Sequence, residues 1–267
     1  MIVSPAVDVV VDVGDIAVRF LTTDPELSGL LQRRYAGFLN PTASSAFEFD
    51  VSIVPPGRFR VDADLEVRIS GGRWSLERGD FRAEWDPVAR RGWIQQTVNP
   101  YSADSVLRIV HTLLLASRGG FLLHASSGIR AGRAFVFTGP SGAGKTTMAR
   151  LAPRDVTLLS DEISYVRKVG DTYVAFGTPF AGELGTAGER VSAPIHAIYE
   201  LAWGDAHRID RLSATDAVRA LMKNILFFVD DRELSGRVFE TACHVAQSLP
   251  VYRLTFAPDA GVWDAVA

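Results

Sequence analysis

Across one short stretch the chain reads Gly139-Pro140-Ser141-Gly142-Ala143-Gly144-Lys145-Thr146-Thr147. The stretch is a full match to the phosphate-binding pattern G-x-x-x-x-G-K-[ST]. In that pattern the glycines let backbone N–H groups turn toward phosphate, and the lysine reaches the β- and γ-phosphates. The sequence therefore predicts a nucleoside triphosphate site formed by Gly139, Pro140, Ser141, Gly142, Ala143, Gly144, Lys145, Thr146 and Thr147. The Thr146 hydroxyl is the expected protein ligand of a Mg²⁺ ion.

The residues on either side of this stretch supply the context that the pattern requires. The run 133–138 is short and apolar, which is typical of a buried strand, and residues 145–151 can open a helix. The helix N-terminus adds a partial positive charge beside the phosphates. Pro153 limits the helix to a short length, because proline cannot continue it. The alternative, a glycine-rich turn that binds nothing, is disfavoured by this order of strand, loop and helix.

A carboxylate pair follows the next predicted strand. Residues 156–159 are apolar and lead into Ser160, Asp161 and Glu162, and in nucleotide sites an acidic residue at a strand end holds the metal ion. A carboxylate beside Mg²⁺ either holds the metal or accepts a proton from an attacking hydroxyl, so two carboxylates permit one of each. Neighbours on a regular strand point to opposite faces, so a shared site requires that the strand has already ended. The alternatives are a strand-end cap for Asp161 and a solvated side chain for Glu162.

Composition limits the classes of function. The chain has 267 residues, 47% of them hydrophobic, which is enough for a large core in one large domain or two modest ones. With 28 basic and 31 acidic residues and a formal charge of −3 it has no basic surplus, so we expect no nucleic-acid partner. No apolar run approaches the roughly 18 residues that cross a bilayer. The first eight residues lack the positive start of a signal peptide and Cys243 is the single cysteine, so we expect no membrane association and a cytoplasmic protein.

Residues 6 to about 100 have mainly strand patterns. A helix is predicted for residues 25–38, and four short strands separated by glycine and aspartate turns predict a meander over residues 65–98. One turn lies at Gly79-Asp80. Trp74, Trp85 and Trp93, interleaved with arginines, indicate the meander core; a surface that holds a peptide or another substrate is the alternative.

The remainder of the chain alternates helices and strands. The period changes to that of an amphipathic helix over residues 102–117, and residues 121–125 and 133–138 are expected to pair as a hairpin. A second hairpin is predicted for residues 163–176, and residues 177–185 form a glycine-rich loop, either a segment that closes over substrate or a plain connection. Further strands are predicted at 194–201, 207–212 and 251–256, with helices after Ser213, over 232–248 and around Trp263.

These motifs resemble the HPr kinase/phosphorylases and the HPr-kinase-like serine kinases of bacteria. That family has a histidine-bearing strand, then a loop of the type G-x-S-G-x-G-K-[ST], then an apolar strand that ends in a carboxylate pair. His124, Ser141 within the glycine stretch, and Asp161 stand at similar spacings here. The resemblance covers residues 121–183, and distant members associated with peptide natural-product clusters are the better comparison.

The resemblance implies residue roles and cofactors. It makes residues 139–147 the ATP-binding loop, with Lys145 on the phosphates, and makes Asp161 the general base and His124 a neighbour of the transferred phosphate. Thr146, Asp161 and Glu162 would hold Mg²⁺, although Glu162 stands where the family usually has an aspartate. Residues 177–180 lack the Arg-Gly segment that the family has after its carboxylate pair, so HPr itself is not the expected substrate.

Together these observations predict an α/β protein with α+β elements. Residues 1–101 would form a β-rich region packed against an HPr-kinase-like ATP-binding domain of residues 102–267. The resemblance implies an ATP- and Mg²⁺-dependent kinase that phosphorylates a hydroxyl, with the serine of a peptide or protein as the expected acceptor, and it implies homo-oligomers. A kinase of a free small metabolite and a nucleotide-binding regulatory protein without transfer activity are the alternatives.

Overall fold

The structure is a computed structural model of the chain. It describes residues 7–55, 65–79, 81–99, 101–228 and 230–266. The chain divides into two compact units, Met1–Val110 and His111–Ala267. The boundary predicted from sequence lies between residues 101 and 102. No helix in the described ranges is long and apolar enough to cross a membrane.

The first unit contains one mixed sheet and a short helix. Its seven strands have the order β1-β2-β3-β7-β6-β5-β4, with β2 parallel to β3, β3 parallel to β7, and the other neighbours antiparallel. The elements are β1 (Val7–Val13), β2 (Ile16–Thr22), α1 (Pro25–Arg34), a 3₁₀ turn (Ala36–Phe38), β3 (Ser45–Ile53), β4 (Glu66–Ser70), β5 (Arg73–Arg78), β6 (Phe81–Asp86) and β7 (Arg91–Gln96). The next helix, α2 (Tyr101–Ala116), contains the boundary between the units.

Local sequence signals explain these elements. The Asp24 side chain accepts a hydrogen bond from the Leu27 backbone N–H and caps α1, whose first residue is Pro25.

The meander is confirmed, and so is its tryptophan core for two of the three residues. Trp74 and Trp85 are buried and stack with ring centroids 6.0 Å apart, whereas Trp93 is only partly buried. The predicted turn at Gly79-Asp80 includes Asp80, which lies outside the described residues.

A buried polar cluster joins α1 to the first turns of α2. The Tyr35 hydroxyl donates to Asp104 Oδ1 at 2.5 Å, and the Arg34 guanidinium donates to Asp104 Oδ2 at 2.6 Å. Burial and the Asp104 charge raise the pKa of Tyr35 well above its usual value, so this side chain stays a neutral hydrogen-bond donor. The cluster therefore pairs a buried carboxylate with two donors.

The second unit contains nine strands and four helices within the described residues. They are β8 (Gly120–Arg130), β9 (Arg133–Thr138), α3 (Lys145–Arg150), β10 (Thr157–Ser160), β11 (Ile163–Val169), β12 (Thr172–Phe176), β13 (Ser192–Trp203), β14 (Arg208–Arg211), α4 (Ala214–Met222), β15 (Ile225–Leu226), α5 (Arg232–Ser248), β16 (Val251–Phe256) and α6 (Val262–Val266). The path β10-β8-β11-β12-β13-β16-β14 runs through the sheet; β9 pairs with both β13 and β8, and β15 pairs with β8.

Three parallel strands form the part of this sheet that places the site. β13 is parallel to β9 on one side and to β16 on the other. Their carboxyl ends, Thr138, Trp203 and Phe256, therefore lie at the same edge of the sheet. Apolar residues of all three strands, among them Phe137, Leu201 and Leu254, are buried together with Met148 of α3 and Trp263 of α6. In sheets of this kind ligands bind outside the carboxyl ends of parallel strands.

Both hairpins predicted for this unit are confirmed. β8 pairs antiparallel with β9 and β11 with β12. The observed β8 is longer than the predicted strand and serves two sets of partners. Its first half, from Gly120 to His124, pairs with β11, and its second half pairs with β9 and β10. The two-residue strand β15 was not predicted, because so short an apolar run has no periodicity.

Candidate functional site

A cavity of about 320 Å³ opens beside the glycine stretch. Five residues predicted from distant parts of the sequence line it together: His124, Lys145, Thr146, Asp161 and Glu162. The glycine stretch also contributes Ser141, Gly142, Gly144 and Thr147, and three residues that were not predicted as site residues complete the lining, namely Arg150, Glu183 and Trp203. Six residues of the predicted phosphate loop, the histidine and the carboxylate pair thus line one cavity, whereas Gly139, Pro140 and Ala143 are not among its lining residues.

The loop between β9 and α3 depends on glycine in two ways. Gly142 and Gly144 have φ of +78° and +104°, where other residues are strained. A Cβ atom on Gly144 would come within 2.6 Å of Phe256 Cζ and 3.0 Å of Trp203 Cζ2, so that position has no room for a side chain. α3 begins directly afterwards at Lys145, and its first N–H groups face the loop.

The Lys145 side chain turns back into this loop. Its ammonium donates to the Gly139 and Pro140 carbonyl oxygens, each at 2.9 Å, and the residue is 7% exposed. Burial lowers the pKa of Lys145, and the negative charges of Glu162 and Glu183 oppose that shift. An ammonium has three N–H donors, so it can hold the loop and an incoming phosphate oxygen together.

Asp161 is the first residue after β10 and is 6% exposed. Its Oδ1 accepts a hydrogen bond from the Gly182 backbone N–H, and its Oδ2 accepts one from the Leu184 N–H, both at 2.9 Å. The carboxylate therefore holds the loop 182–184 while it lines the cavity. Each carboxylate oxygen has a further lone pair, so these two bonds do not exhaust its capacity to accept.

Glu162 is the carboxylate whose charge acts most strongly on Lys145. It lines the same cavity as Asp161, although the two are neighbours in sequence. The reason is that β10 has ended: the Ser160 hydroxyl accepts hydrogen bonds from the Glu162 and Ile163 N–H groups at 3.1 and 2.8 Å and turns the chain between β10 and β11. The end of the strand before the two carboxylates is the condition under which sequence neighbours can share one site.

His124 ends the part of β8 that pairs with β11. Its backbone is fixed on two sides, since its N–H donates to the Asn224 carbonyl at 2.8 Å and its carbonyl accepts from the Thr138 hydroxyl at 3.0 Å. Burial, and then the charge of Lys145, lower the pKa of the imidazole. His124 is therefore neutral near pH 7, when it can accept a hydrogen bond as well as donate one.

The glycine-rich loop after β12 is packed against β10. The Thr178 N–H donates to the Leu159 carbonyl at 3.0 Å, and the Glu189 N–H donates to the Leu158 carbonyl at 3.1 Å. A Cβ atom on Gly188 would lie 1.8 Å from the Leu159 oxygen, so glycine is required for this approach. The loop places Glu183 in the cavity wall, which makes it part of the site rather than a plain connection.

The oxygen donors beside the glycine loop are of the kind that Mg²⁺ prefers. Among the described residues, no group of three or more His, Cys, Asp and Glu side chains is arranged to hold a metal. Mg²⁺ commonly binds through one or two carboxylates and the phosphates of a substrate. Thr146 and Glu162 offer a hydroxyl and a carboxylate beside the loop, which matches that kind of site.

The three unpredicted residues of the cavity differ in the signal they carry. Arg150 lies four residues after Thr146 on α3, so helical spacing alone could have placed it near the site. Glu183 and Trp203 reach the cavity through contacts between segments that are far apart in sequence. No local pattern identifies them.

Comparison with known proteins gives a family and distant structural likenesses. A family model described as SynChlorMet cassette protein ScmC matches residues 94–267, which is more than half of the chain. The structure of the HPr(Ser) kinase/phosphatase from Coxiella burnetii is similar over 47% of this chain and 92% of that one, with 10% sequence identity and a TM-score of 0.25. No curated protein sequence matches the chain.

Proposed function

The chain belongs to the ScmC family, and we propose that it is an ATP- and Mg²⁺-dependent kinase that transfers the γ-phosphoryl group to a hydroxyl. One observation carries this proposal. A single cavity contains the glycine loop with its buried lysine and the carboxylate pair that ends the next strand. Phosphoryl transfer needs positioning and neutralisation of charge more than covalent chemistry by the enzyme, and these groups supply both.

The residues divide these tasks. The loop N–H groups and Lys145 would hold the β- and γ-phosphates, and Thr146 with Glu162 would hold the magnesium ion. The ion, when bound, neutralises charge that develops on the phosphate oxygens. Asp161 accepts the proton of the attacking hydroxyl, since its position is fixed by two backbone N–H groups and it faces the cavity. His124, neutral at pH 7, donates a hydrogen bond to the phosphoryl group.

The proposed acceptor is the serine hydroxyl of a peptide or protein. Glu183 lines the cavity and its side chain is 75% exposed, so this part of the cavity wall reaches the protein surface, where an acceptor from solvent can approach. A small free metabolite and a regulatory protein without transfer activity are the other outcomes that the experiment distinguishes.

The test is incubation with ATP labelled in its γ-phosphate and a pool of serine-containing peptides, followed by identification of the labelled species. Label on a peptide supports the proposal. Label on a small metabolite moves the acceptor to another class, and ATP binding without any phosphorylated product contradicts the kinase function.

Two variants assign the residues in that assay. Lys145→Ala should weaken ATP binding, whereas Lys223→Ala, which removes an exposed lysine at the end of α4, should not. Asp161→Asn should abolish transfer while ATP still binds. Normal turnover by Asp161→Asn would remove that residue from the role of general base.

A further inference from the structure

Trp203 is a large aromatic residue that remains half exposed beside the phosphate cradle. It is the last residue of β13, its side chain lines the cavity, and the residue is 49% exposed. Tryptophan has a large apolar surface whose exposure to water is costly. The surface left open here adjoins a site for a charged ligand, and no part of the proposed phosphoryl transfer uses it.

The orientation of the Trp203 ring is fixed from two directions. Its Nε1 donates to the Gly142 carbonyl of the glycine loop at 2.7 Å, which satisfies its polar edge. One face stacks on Phe256, with ring centroids 4.7 Å apart and an angle of 27° between the planes. Phe256 is fully buried and is paired with Trp203 across two parallel strands. The ring is therefore held in place before any ligand arrives.

The position of the ring follows from the sheet topology. Thr138, Trp203 and Phe256 end three adjacent parallel strands, and the glycine loop leaves the first of them. Ligands of such sheets bind past the carboxyl ends of the strands, so we expect a triphosphate in that loop to extend in this direction. The group attached to the α-phosphate would then lie beside the ends of the neighbouring strands. Trp203 is the exposed aromatic side chain that lines the cavity there.

We propose that the exposed surface of Trp203 is the stacking platform for the base of the nucleoside triphosphate whose phosphates occupy the glycine loop. This inference rests on the proposed function, because it concerns the same nucleotide. Every nucleobase has a flat aromatic surface, so stacking on a tryptophan adds affinity with little dependence on the base. Trp203 thereby favours a nucleoside triphosphate over a phosphate chain that carries no base.

A structural role for Trp203 would give a different result. If the ring only braces the glycine loop through its bond to Gly142, its loss disturbs the cradle itself, and every ligand with a triphosphate group suffers alike. If the ring holds the base, only ligands with a base are affected. Inorganic tripolyphosphate has the phosphates without the base and separates the two roles.

The experiment measures binding of ATP and of tripolyphosphate, each with Mg²⁺, by calorimetry on the full chain. The variants are Trp203→Ala, Trp203→Phe and Phe239→Ala, the last removing a 50% exposed aromatic residue of α5 that does not line the cavity. We expect Trp203→Ala to weaken ATP binding about tenfold and to leave tripolyphosphate binding within about twofold. Trp203→Phe keeps a stacking ring and should retain most of the ATP affinity, and Phe239→Ala should match the wild type.

The outcomes separate this inference from the kinase proposal. Equal weakening of both ligands by Trp203→Ala, or no weakening of either, overturns the stacking role and leaves the kinase proposal standing. Binding of ATP that depends on Trp203 as expected, without transfer to any acceptor, overturns the kinase proposal alone. Wild-type protein that binds neither ligand overturns both. Circular dichroism of each variant shows whether the fold is intact, and if Trp203→Ala does not fold, the comparison of ATP with tripolyphosphate is made on Trp203→Leu.

Discussion

The two hydrogen bonds accepted by Asp161 allow a quantitative prediction for Asp161→Asn. The Gly182 and Leu184 N–H groups approach different oxygens of Asp161, and asparagine keeps an oxygen at only one of these positions, so its NH₂ group must face the other N–H. A hydrogen bond to a charged group contributes about 1.5–3 kcal/mol. Asp161 is 6% exposed, so water cannot fully replace the lost partner. We expect a loss of about 2 kcal/mol in the free energy that keeps the loop 182–184 in place.

Native-state hydrogen exchange measures this loss directly. A change of about 2 kcal/mol corresponds to roughly 30-fold faster exchange, because 1.4 kcal/mol is tenfold. The acceleration should appear at the Gly182 and Leu184 amides and spread little beyond their loop. The matched control is Glu183→Gln, which removes a charge from the same loop but not from the carboxylate that holds it. Its side chain is 75% exposed, so exchange should change little.

One result would refute the reasoning. If Asp161→Asn leaves exchange at these amides unchanged, Asp161 does not hold the loop in solution. If Glu183→Gln accelerates exchange as much as Asp161→Asn does, the effect comes from the general charge of the loop and not from the two hydrogen bonds.

Three further predictions concern other parts of the molecule. Gly144→Ala should abolish ATP binding in a titration, because its Cβ atom would come within 2.6 Å of Phe256 Cζ. The control is Gly132→Ala, at φ +74° with open space around it, which should cost about 1 kcal/mol of stability and leave ATP binding intact. Burial lowers the pKa of His111 to about 3, below the usual 6.5, so the folded state binds the proton less readily than the unfolded chain does. The contribution of neutral His111 to the free energy of unfolding is therefore complete above pH 6.5 and falls by about 2 kcal/mol by pH 5. Urea unfolding at pH 7 and pH 5 should show this loss, and His111→Asn should reduce it. Asp104→Ala should destabilise the first unit by about 3 kcal/mol or more, measured by urea unfolding, because it leaves the Arg34 charge and the Tyr35 hydroxyl without their shared acceptor; unfolding midpoints that do not move would contradict the last two predictions.

The elements that could be predicted from sequence are those whose signal is local. The strand before the glycine loop, the helix that begins at Lys145 and the strand that ends at Ser160 each have a pattern within a few residues. Their placement in one cavity depends on pairing between distant strands. The parallel pairing of β9 with β13, for example, joins residues about sixty positions apart, and alternation of apolar residues does not specify a partner.

The same distinction applies to the site residues. A motif predicts Lys145 and Thr146 because the functional side chains and the glycines that shape their loop lie within one short stretch of sequence. Glu183 and Trp203 belong to no motif, because tertiary structure brings each of them to the cavity. The loop that contains Glu183 is held by the Asp161 carboxylate, and Trp203 is the last residue of β13. Residues of this second kind are found only when the topology is known.

The contacts of Lys145 and Asp161 suggest different behaviour when a nucleotide binds. Lys145 already donates to two carbonyl oxygens of its own loop, so a phosphate oxygen either takes the remaining N–H group of the ammonium or displaces one of these carbonyls. Asp161 is fixed by backbone N–H groups of a loop that is itself packed against β10, so its position needs no ligand. If Asp161 is the base, as proposed, a position that is fixed before the substrate arrives avoids the cost of reorganisation during the reaction. We therefore expect the Lys145 side chain and the glycine loop to adjust when a nucleotide binds, while the Asp161 carboxylate and the loop 182–184 keep their positions.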